Sequence, residues 1–167
     1  MRELELVGLR VEMPANTPVL ILKETDGSRV LPIWIGAVEA TAIAVVQQGL
    51  EPQRPLTHDL LAHVIEATGH ALTAVSITGL DEGVFYAELE LSDGVSVSAR
   101  PSDAVALAIR VGCPILCDDA VLDEAGVEGV VGTDGDESGA GLSQEDAAVE
   151  EFREFLDQVT PEDFEQG

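Results

Sequence analysis

Two stretches of this 167-residue chain repeat one another at a constant offset of 64. Ile35-Gly36-Ala37-Val38-Glu39-Ala40-Thr41-Ala42-Ile43-Ala44-Val45 lies on Ala99-Arg100-Pro101-Ser102-Asp103-Ala104-Val105-Ala106-Leu107-Ala108-Ile109. Each is an extended segment running into a helix of small apolar residues, with an acid in its first turn. Each is preceded by an Asp-Gly turn, Asp26-Gly27 and Asp93-Gly94. The pattern reads as a duplicated strand–strand–helix unit. A helix apolar on nearly every side has to be covered on nearly every side, so both copies are expected in the interior. With 46% hydrophobic residues, the chain has the material for such a core.

The flanking periodicity is that of strands. Leu4 and Leu6, then Val7, Leu9, Val11 and Met13, alternate with a parity flip at Val7-Gly8, which predicts a β-bulge. Val19–Leu22 and Val30–Ile35 follow, and Pro32 places the latter at an edge or a bulge. The first small-residue helix is predicted over Ala37–Gln48. A second runs from His58 to Thr68, with Thr57 as N-cap, a Leu56–Leu61 staple and Gly69 as its stop. Strands are expected near 71–79, 84–91 and 95–99, then a third helix over Pro101–Val111. The predicted class is α+β: two antiparallel β-meanders packed on buried Ala-rich helices, filling residues 1–125.

Charge divides the chain. Acids outnumber Lys and Arg 32 to 8, a net charge of −24. Residues 118–167 hold 17 acids and one base, Arg153. Residues 126–143, rich in Gly, Asp and Glu, read as a flexible acidic linker. Residues 144–167 read as an amphipathic helix and tail, with Ala148, Val149, Phe152, Phe155, Leu156 and Val159 at helical spacing behind the Ser143 cap. That stripe needs a partner: its own domain, a sister subunit or another protein. No stretch of eighteen apolar residues occurs, and Met1-Arg2-Glu3-Leu4-Glu5 lacks an export-signal apolar core, so a cytoplasmic protein without membrane contact is expected. Cys113 and Cys117 read as two reduced thiols rather than a zinc site. P-loop, dinucleotide-fingerprint, nucleophile-elbow and zincin patterns are absent.

Because bases are scarce, their positions carry weight. Arg54-Pro55-Leu56-Thr57-His58-Asp59 and Arg100-Pro101-Ser102-Asp103 each set an arginine, a proline, a hydroxyl and an aspartate at the mouth of a helix. A helix N-terminus offers free N–H groups and positive potential, and an arginine beside it completes a cradle for phosphate or carboxylate. The candidate site gathers Arg54, Arg100 and Ser102 as phosphate-binding residues and His58, Asp59, Asp103 and Glu39 as catalytic ones. Glu39, Asp59 and Asp103 are candidate ligands for Mg²⁺ or Mn²⁺, which would bind phosphate and activate water. The competing reading makes each acid a helix-start residue and Arg100 a partner of Asp103. Trp34 reads as packing; with aromatics at 4%, no base-stacking platform is visible.

Several phrases, in order, resemble the bifunctional nuclease domain family: Leu31-Pro32-Ile33-Trp34-Ile35-Gly36, Glu39-Ala40, Arg54-Pro55-Leu56-Thr57-His58-Asp59, Phe85-Tyr86-Ala87, and above all Ala99–Arg110. The resemblance covers about residues 1–125 and implies non-specific DNase and RNase activity in a cytoplasmic α+β domain that forms homo-oligomers. It supplies no catalytic residue set; the site above rests on the residues alone. Two functions follow as expectations. One is metal-assisted phosphodiester hydrolysis of DNA or RNA. The other is a non-catalytic oligomeric module that binds a small anion or a protein partner, with a regulatory acidic tail. A strongly negative chain with so few cations is poorly suited to gripping a polyanion, which favours the second.

Overall fold

The structure is a computed structural model and describes residues 1–129. The tail helix expected over 144–167, and all of the expected linker beyond residue 129, lie outside the described residues. The chain runs β1 (Arg2–Glu12), β2 (Thr17–Glu24), β3 (Arg29–Trp34), α1 (Ala37–Gln47), α2 (Thr57–Ala67), β4 (Leu72–Asp81), β5 (Val84–Leu91), β6 (Ser96–Ala99), α3 (Pro101–Val111), β7 (Ile115–Cys117), α4 (Asp119–Ala125) and β8 (Val127–Glu128). This is an α+β fold; the described residues form four helices and one mixed eight-stranded sheet.

The two expected meanders are present as β1-β2-β3 and β4-β5-β6, each antiparallel and each followed by a small-residue helix. They are joined into one sheet of order β6-β5-β4-β7-β1-β2-β3-β8. The joining strand is β7, antiparallel to β1 and parallel to β4. A three-residue strand has too little alternation to be read from its residues, so the sequence did not announce it. It passes between the two repeats and turns two half-sheets into one.

Local chemistry explains most boundaries. The parity flip at Val7-Gly8 is a register shift between Leu6 and Gly8, and it keeps Leu4, Leu6 and Leu9 facing the same side as Leu20 and Leu22. The β4–β5 turn has two positive-φ residues, Glu82 (47°) and Gly83 (81°), the geometry that matches strand twist in a two-residue hairpin. β8 pairs with β3 only at Arg29 and Val30, so Pro32 sits where the strand has no neighbour on that side and its missing N–H costs nothing. β8 also takes two residues from the stretch read as linker.

The core lies where α3 covers the sheet. Ala104, Val105, Ala106, Leu107 and Ala108 are all within 1% of full burial, packed with Leu20, Leu22, Leu31, Ile43, Val75 and Ile77. Alanines on both helices let α1 and α3 pack closely together. α1 itself departs from expectation: only Ala40 and Ile43 are buried, and Val38 is 80% exposed. α1 flanks α3 and has one side left outward, a placement that its composition could not reveal. On α2 the N-cap residue is Leu56, not Thr57, and Leu56 and Leu61 are each 40% exposed rather than stapled. The cap is made instead by Asp59, whose Oδ2 accepts the Leu56 N–H at 2.8 Å. Cys113 and Cys117 are unpaired, and burial first, then the nearby Asp118, pushes the Cys117 thiol up to about 12.

Candidate functional site

Two helix mouths meet at one guanidinium. α3 opens on Arg100 as its N-cap residue with Pro101 at the first helical position, and α1 opens on Gly36. Neither N-cap forms a side-chain capping hydrogen bond. Pro101 has no N–H, so the unused donors of the α3 mouth are the backbone N–H groups of Ser102 and Asp103. Arg100 Nη1 donates to Glu39 Oε1 at 2.7 Å; its Nε and Nη2 donate to Asp103 Oδ2 and Oδ1 at 2.7 and 3.1 Å. The side chain is nonetheless 65% exposed. Its two carboxylate partners hold its proton more tightly than usual, Asp103 contributing most.

Asp103 has a second partner. Its Oδ1 lies 3.1 Å from His58 Nε2, on the first turn of α2. Burial pushes the Asp103 carboxyl up, but the hydrogen bonds from Arg100 and His58 outweigh it and hold the group below the ordinary carboxylate range. Glu39, Arg100, Asp103 and His58 thus form one connected chain of side chains, contributed by three helices.

The remaining candidates are not part of this chain of side chains. Asp59 accepts from Arg110 Nε at 2.5 Å. Burial raises the Asp59 carboxyl, yet Arg110 and the Leu56 N–H bring it below its usual value. Arg110 is itself buried and also donates to the carbonyls of Ala106 and Ala42, tying the three helices together. Adjacent residues His58 and Asp59 therefore reach positions 103 and 110 of α3, about 10 Å apart along its axis. α2 begins alongside α3, not at its mouth. Arg54 is exposed in the segment before α2 and makes no hydrogen bond or ion pair among the described residues. Ser102 is buried and faces the mouth of α3.

An open cleft of about 440 Å³ lies at this junction. Its lining includes the polar side chains of Glu39, Arg100 and Ser102 and the apolar ones of Trp34, Val84 and Phe85. Asp103 and His58 do not line it and reach it only through Arg100. Trp34 was read as packing, yet it is 53% exposed, and its Nε1 donates to Glu12 Oε2 at 2.6 Å. Strand parity carried the signal: with Leu31 and Ile33 inward, Pro32 and Trp34 must point outward. Nothing in the sequence marked Glu12.

The metal expectation meets a specific geometry. Of its three carboxylates, Glu39 and Asp103 converge, but the positive position between them is taken by Arg100, and Asp59 is committed to Arg110. Among the described residues no group of three His, Cys, Asp or Glu side chains is placed to hold an ion. As arranged, the residues do not fit a preformed three-carboxylate metal site.

The fold and the site define an α+β domain whose cleft lies at helix mouths and is organised by one arginine and two carboxylates. Residues 20–129 match the Bifunctional nuclease domain, and the chain belongs to that family. An uncharacterised protein of Mycobacterium tuberculosis is 54% identical over 164 residues, 98% of each chain. Bifunctional nuclease 1 of Oryza sativa subsp. indica is 27% identical over 114 residues, 64% of this chain and 34% of that one. Bifunctional nuclease 2 of Arabidopsis thaliana is 28% identical over 103 residues, 58% of this chain and 31% of that one. This chain spans about a third of the length of the plant proteins. No helix among the described residues is long and apolar enough to cross a membrane.

Proposed function

We propose that this chain is a cytoplasmic, non-specific nuclease that hydrolyses phosphodiester bonds of DNA and RNA in the Arg100 cleft. The single observation that supports the reading most is the Arg100 bridge: an exposed guanidinium held by carboxylates at the mouths of two helices. An incoming phosphate takes Arg100 from Glu39, with the free N–H groups of Ser102 and Asp103 as further donors. Glu39, released beside it, accepts a proton from water as the water oxygen bonds to phosphorus and the ester P–O bond breaks, the leaving oxygen being protonated by solvent. Asp103 holds the guanidinium and His58 holds Asp103, both as positioning residues.

The test uses the full chain, Glu39→Gln and Arg100→Ala on a fluorescent single-stranded oligonucleotide. Glu39→Gln is expected to retain binding and lose about 10²–10⁴-fold in rate; Arg100→Ala is expected to lose both. Cleavage unchanged in both variants removes the site. Chelation in the same assay is expected to leave cleavage intact. Loss on chelation, restored by Mg²⁺ or Mn²⁺, instead supports an ion held by Glu39, Asp103 and the substrate.

A second reading is favoured by the charge of −24 and by the saturation of Arg100: an oligomeric module that binds a small anion or protein without turnover. Binding of inorganic phosphate that Arg100→Ala abolishes, with no cleavage of the oligonucleotide by the parent, selects it. In either reading we place a second copy of the chain as partner. α2 and its N-cap residue leave Leu56, Leu60, Leu61 and Val64 each 40–56% exposed, apolar side chains that a second copy would cover. Sedimentation equilibrium tests it; a monomer at all concentrations discards it.

A further inference from the structure

The cleft is lined by polar and by apolar side chains, and the proposed chemistry uses only the polar ones. Arg100 and Glu39 account for a phosphate. Nothing in that account uses Trp34, at the end of β3, or explains why a large aromatic ring is 53% exposed on the same cleft. A flat ligand that covers an exposed indole releases the water on its ring and gains apolar burial. The ring is also held in place. Its only polar atom, Nε1, is hydrogen-bonded at 2.6 Å to Glu12, on the neighbouring β1–β2 hairpin. A tethered edge with an accessible ring pays little conformational entropy on binding a flat partner.

We propose that Trp34 is a base-stacking residue: a nucleobase of the strand whose phosphate Arg100 holds lies against the Trp34 indole. This rests on the nucleic-acid reading of the cleft. Phosphate and base are the two repeating surfaces of a polynucleotide, one anionic and one flat and apolar, and the lining of this cleft holds both a cation, Arg100, and an aromatic ring, Trp34. Every base has a π-face, so stacking holds the strand without reading its sequence. It also addresses the charge problem. A chain of net charge −24 cannot rely on many phosphate contacts, and stacking adds affinity that owes nothing to Lys or Arg.

Trp34 is the only tryptophan in the sequence, so its fluorescence reports on this one position. The full-length protein is titrated with a 12-mer of deoxythymidine carrying a 3′ fluorophore, an abasic 12-mer and inorganic phosphate. Emission at the tryptophan wavelength and fluorescence anisotropy are read together. Quenching by the thymidine strand but not by the abasic strand or phosphate is expected. Trp34→Ala is expected to weaken binding about 5- to 100-fold, and Trp34→Phe to retain most of it. In a cleavage assay Trp34→Ala should raise KM more than it lowers kcat. If the parent binds the strand, Arg100→Ala abolishes that binding, and Trp34 is neither quenched nor needed, the stacking proposal fails and the cleft reading stands. Absence of any strand binding overturns both. A Trp34→Ala protein that binds normally but loses self-association in sedimentation assigns the ring to a subunit contact instead, and the proposal is withdrawn.

Discussion

Arg100 matters because of what shares it. Glu39 and Asp103 belong to helices 64 residues apart in sequence, and one guanidinium holds both. Gly36 controls one of those contacts. A Cβ at Gly36 would lie 2.2 Å from Glu39 Oε2, so a methyl group there must push the carboxylate away from Arg100. The backbone at Gly36 has φ −75°, so Ala is otherwise tolerated. Gly36→Ala is therefore expected to change stability by less than about 1 kcal/mol, as for a surface ion pair. It is expected to slow cleavage about 10- to 100-fold through misplacement of Glu39. Urea unfolding and the oligonucleotide assay check the two halves. A full rate in a correctly folded Gly36→Ala protein removes Glu39 from the chemistry.

The elements explain why the sites lie where they do. α3 is buried along most of its length and acts as the axle on which α1 and α2 rest: α1 is joined to it by Arg100 and α2 by His58 and Arg110. The last elements are pinned more tightly than their length suggests. Gly126 follows α4, and a Cβ there would lie 2.3 Å from the Leu122 carbonyl oxygen, which is backbone and cannot rotate aside. Gly126→Ala is expected to cost about 1–3 kcal/mol, the range of overpacking in a tight site. It should also loosen the β8 pairing with Arg29 and Val30. Urea melts give the first and amide exchange at Val30 the second. An unchanged melt together with protected Val30 would show that β8 adapts independently of α4.

Across the whole molecule, charges at the chain start fasten the fold. The N-terminal ammonium and Arg2 Nε both reach Asp119 on α4, at 2.7 and 2.8 Å, and Arg29 links the buried Glu24 to Asp123. The ammonium first, then Arg2, pulls the Asp119 carboxyl down to about 2. A carboxyl depressed on folding adds stability above its unfolded pKa of roughly 4 and loses it as pH falls toward the folded value. The melting-temperature difference between the parent and Asp119→Asn should thus be full above pH 5 and vanish between about pH 4 and 2. Comparing the pair cancels the general relief of repulsion that acid brings to a chain of charge −24. A pH-independent difference rules out the ion cluster as its source. The same charge sets the salt response of strand binding. With Arg100, and at most Arg54, on phosphate, log K should fall with log salt at a slope of about −0.7 to −1.4. A much steeper slope locates the polyanion elsewhere.

Local structure was legible because it depends on neighbours in the chain. The bulge at Gly8, the turn at Asp93-Gly94, the edge position of Pro32 and the bounds of α3 all follow from parity, φ preference or a missing N–H. The arginine-led helix mouth at Arg100 was legible for the same reason, as was the company of Asp103. Long-range pairing was not. That β7 would join the two meanders and that Asp59 would turn to Arg110 depend on how distant elements pack, which no spacing along one helix encodes. The outward faces of α1 and Trp34 belong to the same class: a residue's composition says that it prefers cover, and only the packing of other elements determines whether cover reaches it.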